Sequence, residues 1–262
     1  MSKARPAATA TDPSFATTLA HGFSVLECFR TSEPLLSNKD LVARTGLSKA
    51  TISRLTYTLA LRGLLNYDAE LRRYRLGSRV LSLGYPLLAG IPVRQQARPI
   101  MRRLAAATGG TVSLGVRHGT RMVYIETNRS HDLASFRPDL GASLPLLATA
   151  MGRAWLCGAR HGARAQALDL LRAAQAGLPD PDEIFHAARE QYGRLGYCVS
   201  EGAWFADVHA VAVPLDIEVN EGPLILNCGI TVARLDGRPI ADVAGRDLLR
   251  AAADVARLGG AA

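Results

Sequence analysis

Residues 37–63 constrain the fold of this chain more than any other part of its sequence. Ser37 precedes Asp40 by three positions, a spacing at which the two residues cap the start of a helix reciprocally. Gly46 can adopt the left-handed conformation that ends a helix, and Ser48 can cap a second helix. Two short helices joined by a glycine-containing turn are typical of a helix-turn-helix.

The second of these helices has two unlike faces. Ile52, Leu55 and Leu59 recur at helical spacing and form, with Leu47, an apolar stripe that predicts a core. Small polar and basic residues crowd the opposite side, where a recognition helix meets the major groove. An ordinary helical hairpin with a solvated charged face is the alternative. The residues expected to face DNA from the two helices are Ser37, Ser48, Lys49, Ala50, Thr51, Ser53, Arg54 and Tyr57.

A basic hairpin follows and argues against that alternative. Residues 67–76 (YDAELRRYRL) have the pattern of two short strands around a turn at 68–71. We expect three arginine side chains to project from a strand of this hairpin toward phosphates or the adjacent minor groove, and these are Arg72, Arg73 and Arg75. The sequence therefore predicts a winged helix-turn-helix that binds double-stranded DNA.

The distribution of charge supports this prediction. The chain has a net charge of +8, and residues 1–90 hold 12 Lys and Arg against 6 Asp and Glu. Residues 91–262 hold 19 against 17, so most of the positive excess lies in the first third, as in a phosphate-binding module. No apolar run reaches the roughly 18 residues of a membrane span, and the N-terminus lacks the apolar core of a signal peptide. We therefore expect a cytoplasmic protein with no membrane partner.

The sequence before the helix-turn-helix predicts an arm and a first helix. Residues 1–14 are expected to form a disordered arm, whose Lys3 and Arg5 either touch DNA or stay solvated. Apolar residues at helical spacing then predict a helix that packs under the helix-turn-helix pair, and they are Leu19, Phe23, Val25, Leu26 and Phe29.

Three further boundaries follow from these patterns. Residues 15–77 are predicted to form the DNA-binding domain, and residues 78–92 a linker helix. The linker is too apolar to be free, so one face is expected to pack against a second copy of the chain or the following domain. Residues 93–262 interleave helices with strands, which indicates an α+β domain with an antiparallel sheet. Helices are predicted over 93–108, 150–158, 163–176, 182–195 and 242–258, and strands over 111–117, 122–127, 197–200, 208–215 and 224–233.

Catalytic and metal-binding patterns are weak throughout. The cysteines are scattered and without zinc-ligand spacing, so we expect reduced and mostly buried thiols at Cys28, Cys157, Cys198 and Cys228. A cysteine nucleophile would need a histidine base, and the sequence pairs none with a cysteine. The Gly-Gly pairs at 109–110 and 259–260 lack phosphate-loop spacing. We expect no catalytic residue, no metal and no cofactor. An enzyme or a non-sensing architectural DNA-binding protein remains the alternative.

Several motifs, in this order and spacing, resemble the IclR family of bacterial transcriptional regulators. They lie at residues 19–27 (LAHGFSVLE), 41–51 (LVARTGLSKAT), 74–84 (YRLGSRVLSLG), 144–145 (LP), 149–154 (TAMGRA) and 212–214 (AVP). The resemblance covers nearly the whole chain from about residue 18. It implies an α+β chain in which a winged helix-turn-helix precedes a GAF-like α/β effector-binding domain, with a dimerising linker helix between them. It further implies dimers, or tetramers made of two dimers, on inverted-repeat operators.

The resemblance also implies where an effector binds. Family pockets are lined by the segments equivalent to residues 148–152, 197–201, the neighbourhood of Ala210, and 226–229. The sequence departs from the family at residues 201–207 (EGAWFAD), where Asp207 replaces an expected glycine. The expected effector residues are Leu146, Thr149, Ala150, Met151, Gly152, Ser200, Trp204, Phe205, Ala210, Leu226, Asn227 and Cys228.

The composition of this pocket predicts the class of effector. Unsatisfied N–H groups at the start of the Ala150 helix favour an anion, to which Arg129, Arg137 or Arg153 could add a positive charge. Trp204 and Phe205 could stack on a flat ring or merely fill the core. The expectation is a small organic acid, aromatic rather than aliphatic.

Overall fold

The computed structural model describes residues 13–130, 138–174, 179–219 and 222–259. It divides the chain into two compact units, Met1–Ala89 and Gly90–Ala262, which are described separately below. The predicted arm lies outside the described residues except for its last two positions.

The first unit contains the predicted helix-turn-helix and wing. The Ser37 N–H donates to the Asp40 carboxylate at 2.9 Å, while the Asp40 N–H donates to the Ser37 hydroxyl at 3.2 Å. Hydrogen bonds from the Ser37 backbone and side chain also lower the pKa of Asp40. Gly46 ends the helix with a φ of 70°, as predicted. The elements are α1 (Thr17–Glu27), α2 (Asn38–Thr45), α3 (Lys49–Leu61), β1 (Leu65–Asp68), β2 (Arg73–Leu76) and α4 (Arg79–Ala89).

The core of the first unit forms where α1, α2, α3 and the wing meet. Thr56 of α3 is fully buried. Its hydroxyl tolerates burial because it donates to the carbonyl of Ile52 one turn earlier, at 2.9 Å. The buried apolar residues are Val25, Leu36, Leu41, Ile52, Leu59 and Leu65, with Leu47 and Leu55 partly buried against them.

Apolar side chains on α1 and α4 are largely exposed to solvent. Leu19 and Phe23 do not pack under the helix-turn-helix, since 62% and 54% of their surfaces are exposed. Only the C-terminal end of α1, around Val25, enters the core. Helix α4 buries none of its residues in this single chain. Its exposed large apolar side chains are Leu81, Leu83, Tyr85 and Leu87.

The second unit is built around one antiparallel sheet, as predicted. The strand order is β5-β4-β3-β8-β7-β6. Helices α6 and α11 cover one face, and α7 to α9 cover the other. The elements are α5 (Pro92–Gln96), α6 (Arg98–Thr108), β3 (Thr111–His118), β4 (Arg121–Arg129), β5 (Ser143–Pro145), α7 (Ala150–Gly158), α8 (His161–Ala174), α9 (Pro181–Leu195), β6 (Cys198–Glu201), β7 (Val208–Val219), β8 (Gly222–Thr231), α10 (Val232–Leu235) and α11 (Arg246–Gly259).

The structure differs from the predicted elements in a few places. The helix expected over 93–108 is divided at Ala97 into α5 and α6. A π-helical turn, Ala241–Gly245, precedes α11 where one continuous helix was expected. Strand β5 and helix α10 were not predicted, because elements of three or four residues carry too little periodicity.

A bulge in β4 determines which side chains face which layer. Leu114 pairs with Glu126 and the next residue, Gly115, pairs with Tyr124, so Ile125 is an extra residue in the ladder. Tyr124 therefore packs with the α7 cluster, whereas Glu126 reaches the opposite side and binds arginines of α5 and α6. Without this bulge the two side chains would share a face.

No described helix is long and apolar enough to cross a membrane. Within the described ranges, no three His, Cys, Asp or Glu side chains lie close enough together to hold a metal ion.

Candidate functional site

The outer side of α3 presents most of the residues predicted to face DNA. Lys49, Ser53, Arg54 and Tyr57 are exposed, Tyr57 over 65% of its surface. Their spacing of three to four residues places them along one side of the helix, opposite the buried Ile52. This surface is basic and polar at the start of α3, which suits the edges of bases and phosphates.

The hydroxyl groups that are predicted to contact DNA also cap the starts of α2 and α3. The Ser48 hydroxyl accepts the Thr51 N–H at 3.2 Å and lies 2.9 Å from the Thr51 hydroxyl. The Ser37 hydroxyl caps α2 in the same way. Ala50 is exposed beside them. Ser37, Ser48 and Thr51 therefore orient the helix starts, and a direct role on DNA stays a prediction.

The three wing arginines occupy different positions. Arg72 lies in the turn with a φ of 52°, so the prediction that all three project from a strand is wrong for this residue. Arg73 begins β2, and its guanidinium donates to the carbonyl of Leu35 at 3.2 Å. Arg75 is exposed on the same strand. Arg72 and Arg75 are consequently better placed than Arg73 to meet phosphates.

A cleft opens in the second unit on the side of the sheet that carries α7. The empty space in the cleft and in the open solvent at its mouth together amounts to about 480 Å³. Segments far apart in the sequence meet there, a typical arrangement for a small-molecule site. The predicted effector residues that line it are Thr149, Ala150, Ser200, Trp204, Phe205, Ala210 and Asn227.

The start of α7 forms one wall of the cleft. The Thr149 hydroxyl accepts the Gly152 N–H at 3.2 Å, so the expectation of wholly unsatisfied N–H groups is wrong for Gly152. The N–H groups of Ala150 and Met151 have no hydrogen-bond partner among the described residues. Of these two residues only Ala150 lines the cleft, so one free backbone donor and the positive end of a helix dipole remain at this wall.

The loop that departs from the family also lines the cleft. Gly202, with a φ of 69°, begins the turn from β6 to β7. Trp204 and Phe205 follow with their ring centroids 4.2 Å apart and their planes tilted by 58°. Phe205 keeps 43% of its surface exposed. Both rings line the cleft, and the partly buried Trp204 also packs against the core cluster around α7.

Buried polar groups complete the lining. Asn227 and Ser200 are 4% and 6% exposed, and the Ser200 hydroxyl donates to the carbonyl of Ala148 at 3.0 Å. Burial raises the pKa of the Tyr124 hydroxyl, which lines the same cleft. The same hydroxyl has a hydrogen bond with the Ser113 side chain, which opposes the effect of burial on this pKa.

Five predicted effector residues do not line the cleft. Side chains alternate along β8, so Leu226 and Cys228 point to the face opposite Asn227. Cys228 Sγ lies 3.5 Å from the Thr108 hydroxyl of α6, on that other face. Leu226 and Cys228 were expected to contact the effector, but neither lines this cleft.

The other three residues support the cleft from behind. Leu146 and Met151 are fully buried in the α7 core. A Cβ on Gly152 would lie 1.9 Å from the carbonyl oxygen of Leu146, so this position needs glycine for a close backbone approach. These residues position the wall without touching the cleft.

Three arginines were expected to add positive charge near the effector, and the two that the structure describes, Arg129 and Arg153, do not line the cleft. Arg153 donates to the carbonyls of Leu147 and Val199, at 3.0 and 3.1 Å. Arg129 donates to the carbonyl of Pro138 at 2.7 Å and pairs with Asp139. Arg137 lies outside the described residues. Among the described residues that line the cleft, an anion would meet only neutral donors and the start of α7.

Six lining residues were not among the predicted effector residues, although Gly229 lies in the segment 226–229 that was expected to line the pocket. Strand alternation could have found Val208 from Ala210, and Gly229 from Asn227. Tyr124 depends on the bulge, which leaves no local sequence signal. The missed residues are Thr111, Tyr124, Pro138, Leu144, Val208 and Gly229.

Comparison with known proteins identifies both domains of the chain. Residues 18–69 match the IclR helix-turn-helix domain, and residues 86–257 match the family described as bacterial transcriptional regulator IclR C-terminal. The HTH-type transcriptional regulator TsaQ1/TsaQ2 of Comamonas testosteroni is 38% identical over 199 residues, which cover 74% of this chain and 71% of that protein.

Solved structures share the fold as well. An IclR family transcriptional regulator from Brucella abortus has a TM-score of 0.79 and 32% identity, with 97% of this chain and 96% of that chain covered. An IclR homolog from Microbacterium hydrocarbonoxydans, complexed with 4-hydroxybenzoate, has a TM-score of 0.73 and 23% identity, with 94% and 100% covered. The predicted fold class is thereby confirmed. The relatives are named as regulators and not as enzymes. With a helix-turn-helix domain followed by a C-terminal effector domain, the chain belongs to the IclR family of bacterial transcriptional regulators.

Proposed function

We propose that this regulator binds an inverted-repeat operator as a dimer, or as a pair of dimers, and senses a small aromatic carboxylate. The observation that carries the sensing proposal is the cleft, which is lined by an aromatic pair and by the start of a helix whose Ala150 N–H has no partner among the described residues. A non-sensing architectural protein is the competing function, and it would have no use for such a cleft.

The recognition helix supplies the first prediction. Arg54 is exposed on the DNA-facing side of α3, where a guanidinium can form two hydrogen bonds with a guanine. Arg54→Ala should weaken operator binding by about 1–3 kcal/mol and weaken binding to random DNA much less. Fluorescence anisotropy on both DNAs, at fixed salt, measures this difference. Equal losses on the two DNAs would move Arg54 from base recognition to phosphate contact.

Arg75→Ala is the matched control, since Arg75 is also an exposed arginine but lies on the wing. We expect it to weaken binding to both DNAs alike. The slope of log K against log salt should fall by about one unit, because one phosphate contact is lost.

Self-association is supported by apolar surface in the first unit. Leu81, Leu83 and Tyr85 of α4 are each more than 60% exposed, and such neighbouring apolar groups usually mark an interface. A second copy of the chain is the proposed partner of this helix.

The second prediction tests that proposal. Leu81→Ser should shift the protein toward monomers, because the substitution removes apolar area from the proposed interface. Sedimentation velocity over a range of concentrations measures the change. Leu71→Ser on the wing is the control, since Leu71 is also largely exposed, and it should leave association unchanged. Identical behaviour of the two variants would contradict dimerisation through α4.

The ligand class rests on the chemistry of the cleft. The start of α7 offers the Ala150 N–H, and Tyr124 and Asn227 line the same cleft, so a carboxylate can be bound without an arginine. Trp204 and Phe205 supply flat apolar surface for a ring. The complex of a family member of similar fold with 4-hydroxybenzoate supports the same class of ligand.

The third prediction concerns this ligand. We expect 4-hydroxybenzoate or a close relative to bind at around micromolar affinity, about −8 kcal/mol. Trp204→Ala should weaken binding at least about tenfold, or 1.4 kcal/mol, because the stacking surface is lost. Operator affinity without ligand should not change, since Trp204 lies in the other unit. Calorimetry measures the ligand affinity of wild type and variant, and anisotropy measures their operator affinity.

Two controls separate the parts of this prediction. Val232→Ala removes an exposed apolar group outside the cleft and should leave ligand affinity unchanged. The neutral 4-hydroxybenzamide should bind more weakly than the acid if the helix start binds an anion. Binding of neutral compounds only would refute the carboxylate, and no binding or thermal shift with any acid would favour the architectural alternative.

A further inference from the structure

Two cysteines that are distant in sequence meet inside the second unit. Cys157 lies in α7, and Cys198 begins β6, 41 positions later. Both are free thiols, and their Sγ atoms are 3.8 Å apart. A disulfide bond is about 2.05 Å long, so a displacement of less than about 2 Å would bring the two sulfur atoms to bonding distance. Sequence spacing gives no hint of this contact.

Cys157 has the properties of the more reactive thiol. It is only partly buried, so a small oxidant can approach it. The hydrogen bond with Cys198 lowers the pKa of Cys157, and the positive charges of Arg164 and Arg189 lower it further against the opposing effect of burial. A thiolate is the nucleophilic form of cysteine, and nearby positive charge favours it.

Cys198 has the properties of a thiol that reacts after Cys157 has been oxidised. Its side chain is fully buried, so an oxidant in solvent reaches it less readily than it reaches Cys157. The hydrogen bond to Cys157, together with burial, raises the pKa of Cys198. A protonated, inaccessible thiol beside a reactive one cannot react first, but it can resolve an oxidised neighbour.

We propose that Cys157 and Cys198 form a disulfide site that hydrogen peroxide oxidises. The Cys157 thiolate attacks one peroxide oxygen, the O–O bond breaks, and the departing hydroxide takes a proton to become water. Cys157 is then a sulfenic acid. The Cys198 sulfur attacks Cys157 Sγ, the S–O bond breaks, and the hydroxyl group leaves with the Cys198 proton as a second water. Two thiols and one peroxide thus give one disulfide and two waters.

The other two cysteines provide internal comparisons. Cys228 is fully buried beside the Thr108 hydroxyl, and burial raises its pKa to about 11. The Cys28 thiol donates to the carbonyl of Ser24 in the preceding helical turn, and its pKa is raised mainly by burial. Within the described ranges, neither lies in hydrogen-bonding contact with a second cysteine. Selective oxidation of one pair is therefore expected.

The bond would join two elements that border the cleft. Helix α7 begins with Ala150, and strand β6 includes Ser200, and both residues line the cleft. Oxidation would thus tie the wall made by α7 to the wall made by β6. The disulfide itself is independent of the proposed ligand, so the test below does not depend on any effector.

The experiment uses the full reduced chain, freed of reductant and treated with hydrogen peroxide. Remaining thiols are alkylated in denaturant, and the protein is digested without reduction for mass spectrometry. The expected product joins the Cys157 peptide to the Cys198 peptide, with the loss of two hydrogen atoms, while Cys28 and Cys228 are alkylated. Oxidation of Cys157 to a sulfinic acid without this cross-link would overturn the proposal. Preferential oxidation of Cys28 would do the same.

Three variants test the order of the steps. Cys198→Ala should stop at the Cys157 sulfenic acid, which dimedone captures, and Cys157→Ala should leave Cys198 as a thiol. Cys228→Ala should form the cross-link like the wild type. The cross-link map of the wild-type protein needs no substitution, so it decides the proposal even if a variant fails to fold.

Discussion

Replacing Glu126 with alanine is expected to destabilise the second unit by about 3–5 kcal/mol. The Glu126 carboxylate is buried in β4 and accepts a hydrogen bond from Arg94 at 2.6 Å. Arg98 binds the same carboxylate at 3.0 and 3.1 Å. Arg94 is only 6% exposed, so removal of its partner leaves a buried charge unpaired. That penalty is much larger than the net value of the ion pair itself.

Urea unfolding followed by tryptophan fluorescence measures this loss selectively. The chain has two tryptophans, and both Trp155 and Trp204 lie in the second unit. Glu218→Ala is the matched control, because Glu218 is also a strand glutamate paired with an arginine at 2.6 Å. Its side chain is 49% exposed and that of Arg160 is 81% exposed, so a loss of only about 0–1 kcal/mol is expected. Similar losses in both variants would show that burial does not decide the effect.

Gly152→Ala should destabilise the same unit by roughly 3 kcal/mol, at the upper end of the range for overpacking. The added Cβ would lie 1.9 Å from the carbonyl oxygen of Leu146 and 2.6 Å from its Cα. These are backbone atoms that cannot rotate away, so the start of α7 or the segment before it must move. Because Ala150 borders the cleft, weaker 4-hydroxybenzoate binding should accompany the loss of stability.

Gly193→Ala is the control, and it is expected to change the stability in the opposite direction. Gly193 also lies inside a helix of the second unit, α9, but a Cβ added there would meet no described atom within 4 Å. Alanine should therefore stabilise the protein by about 0.5–1 kcal/mol through its better helix propensity. Urea unfolding of both variants gives the comparison, and a stabilising effect of Gly152→Ala would refute the proposed close approach.

Local signals explain why much of the fold could be predicted. The capping pair Ser37 and Asp40, and the glycines at 46 and 196, fix helix ends through interactions within a few residues. Helix α7 was predicted with its observed bounds, because Thr149 caps it and its apolar pattern is regular. Such features act before any distant contact forms, so they are present in the sequence itself.

The residues that line the candidate cleft were predicted only in part, because the cleft depends on contacts between distant segments. Segments near Thr149, Ser200 and Asn227 were expected from the family resemblance, and the structure brings these residues together. The individual side chains within each segment were less certain, because adjacent residues on a strand point to opposite faces. Asn227 and Cys228 were treated alike, yet only Asn227 lines the cleft.

The sequence by itself determined the helix-turn-helix, the wing, most helices and strands of the second unit, and the family. Only the tertiary structure decided that Tyr124 faces the cleft while Glu126 faces buried arginines, since this depends on a bulge at Ile125. It also decided that Cys157 meets Cys198. Caps and periodicity arise from interactions over a few residues. Strand register and contacts between layers arise from pairing across the whole unit, and no short stretch of sequence encodes them.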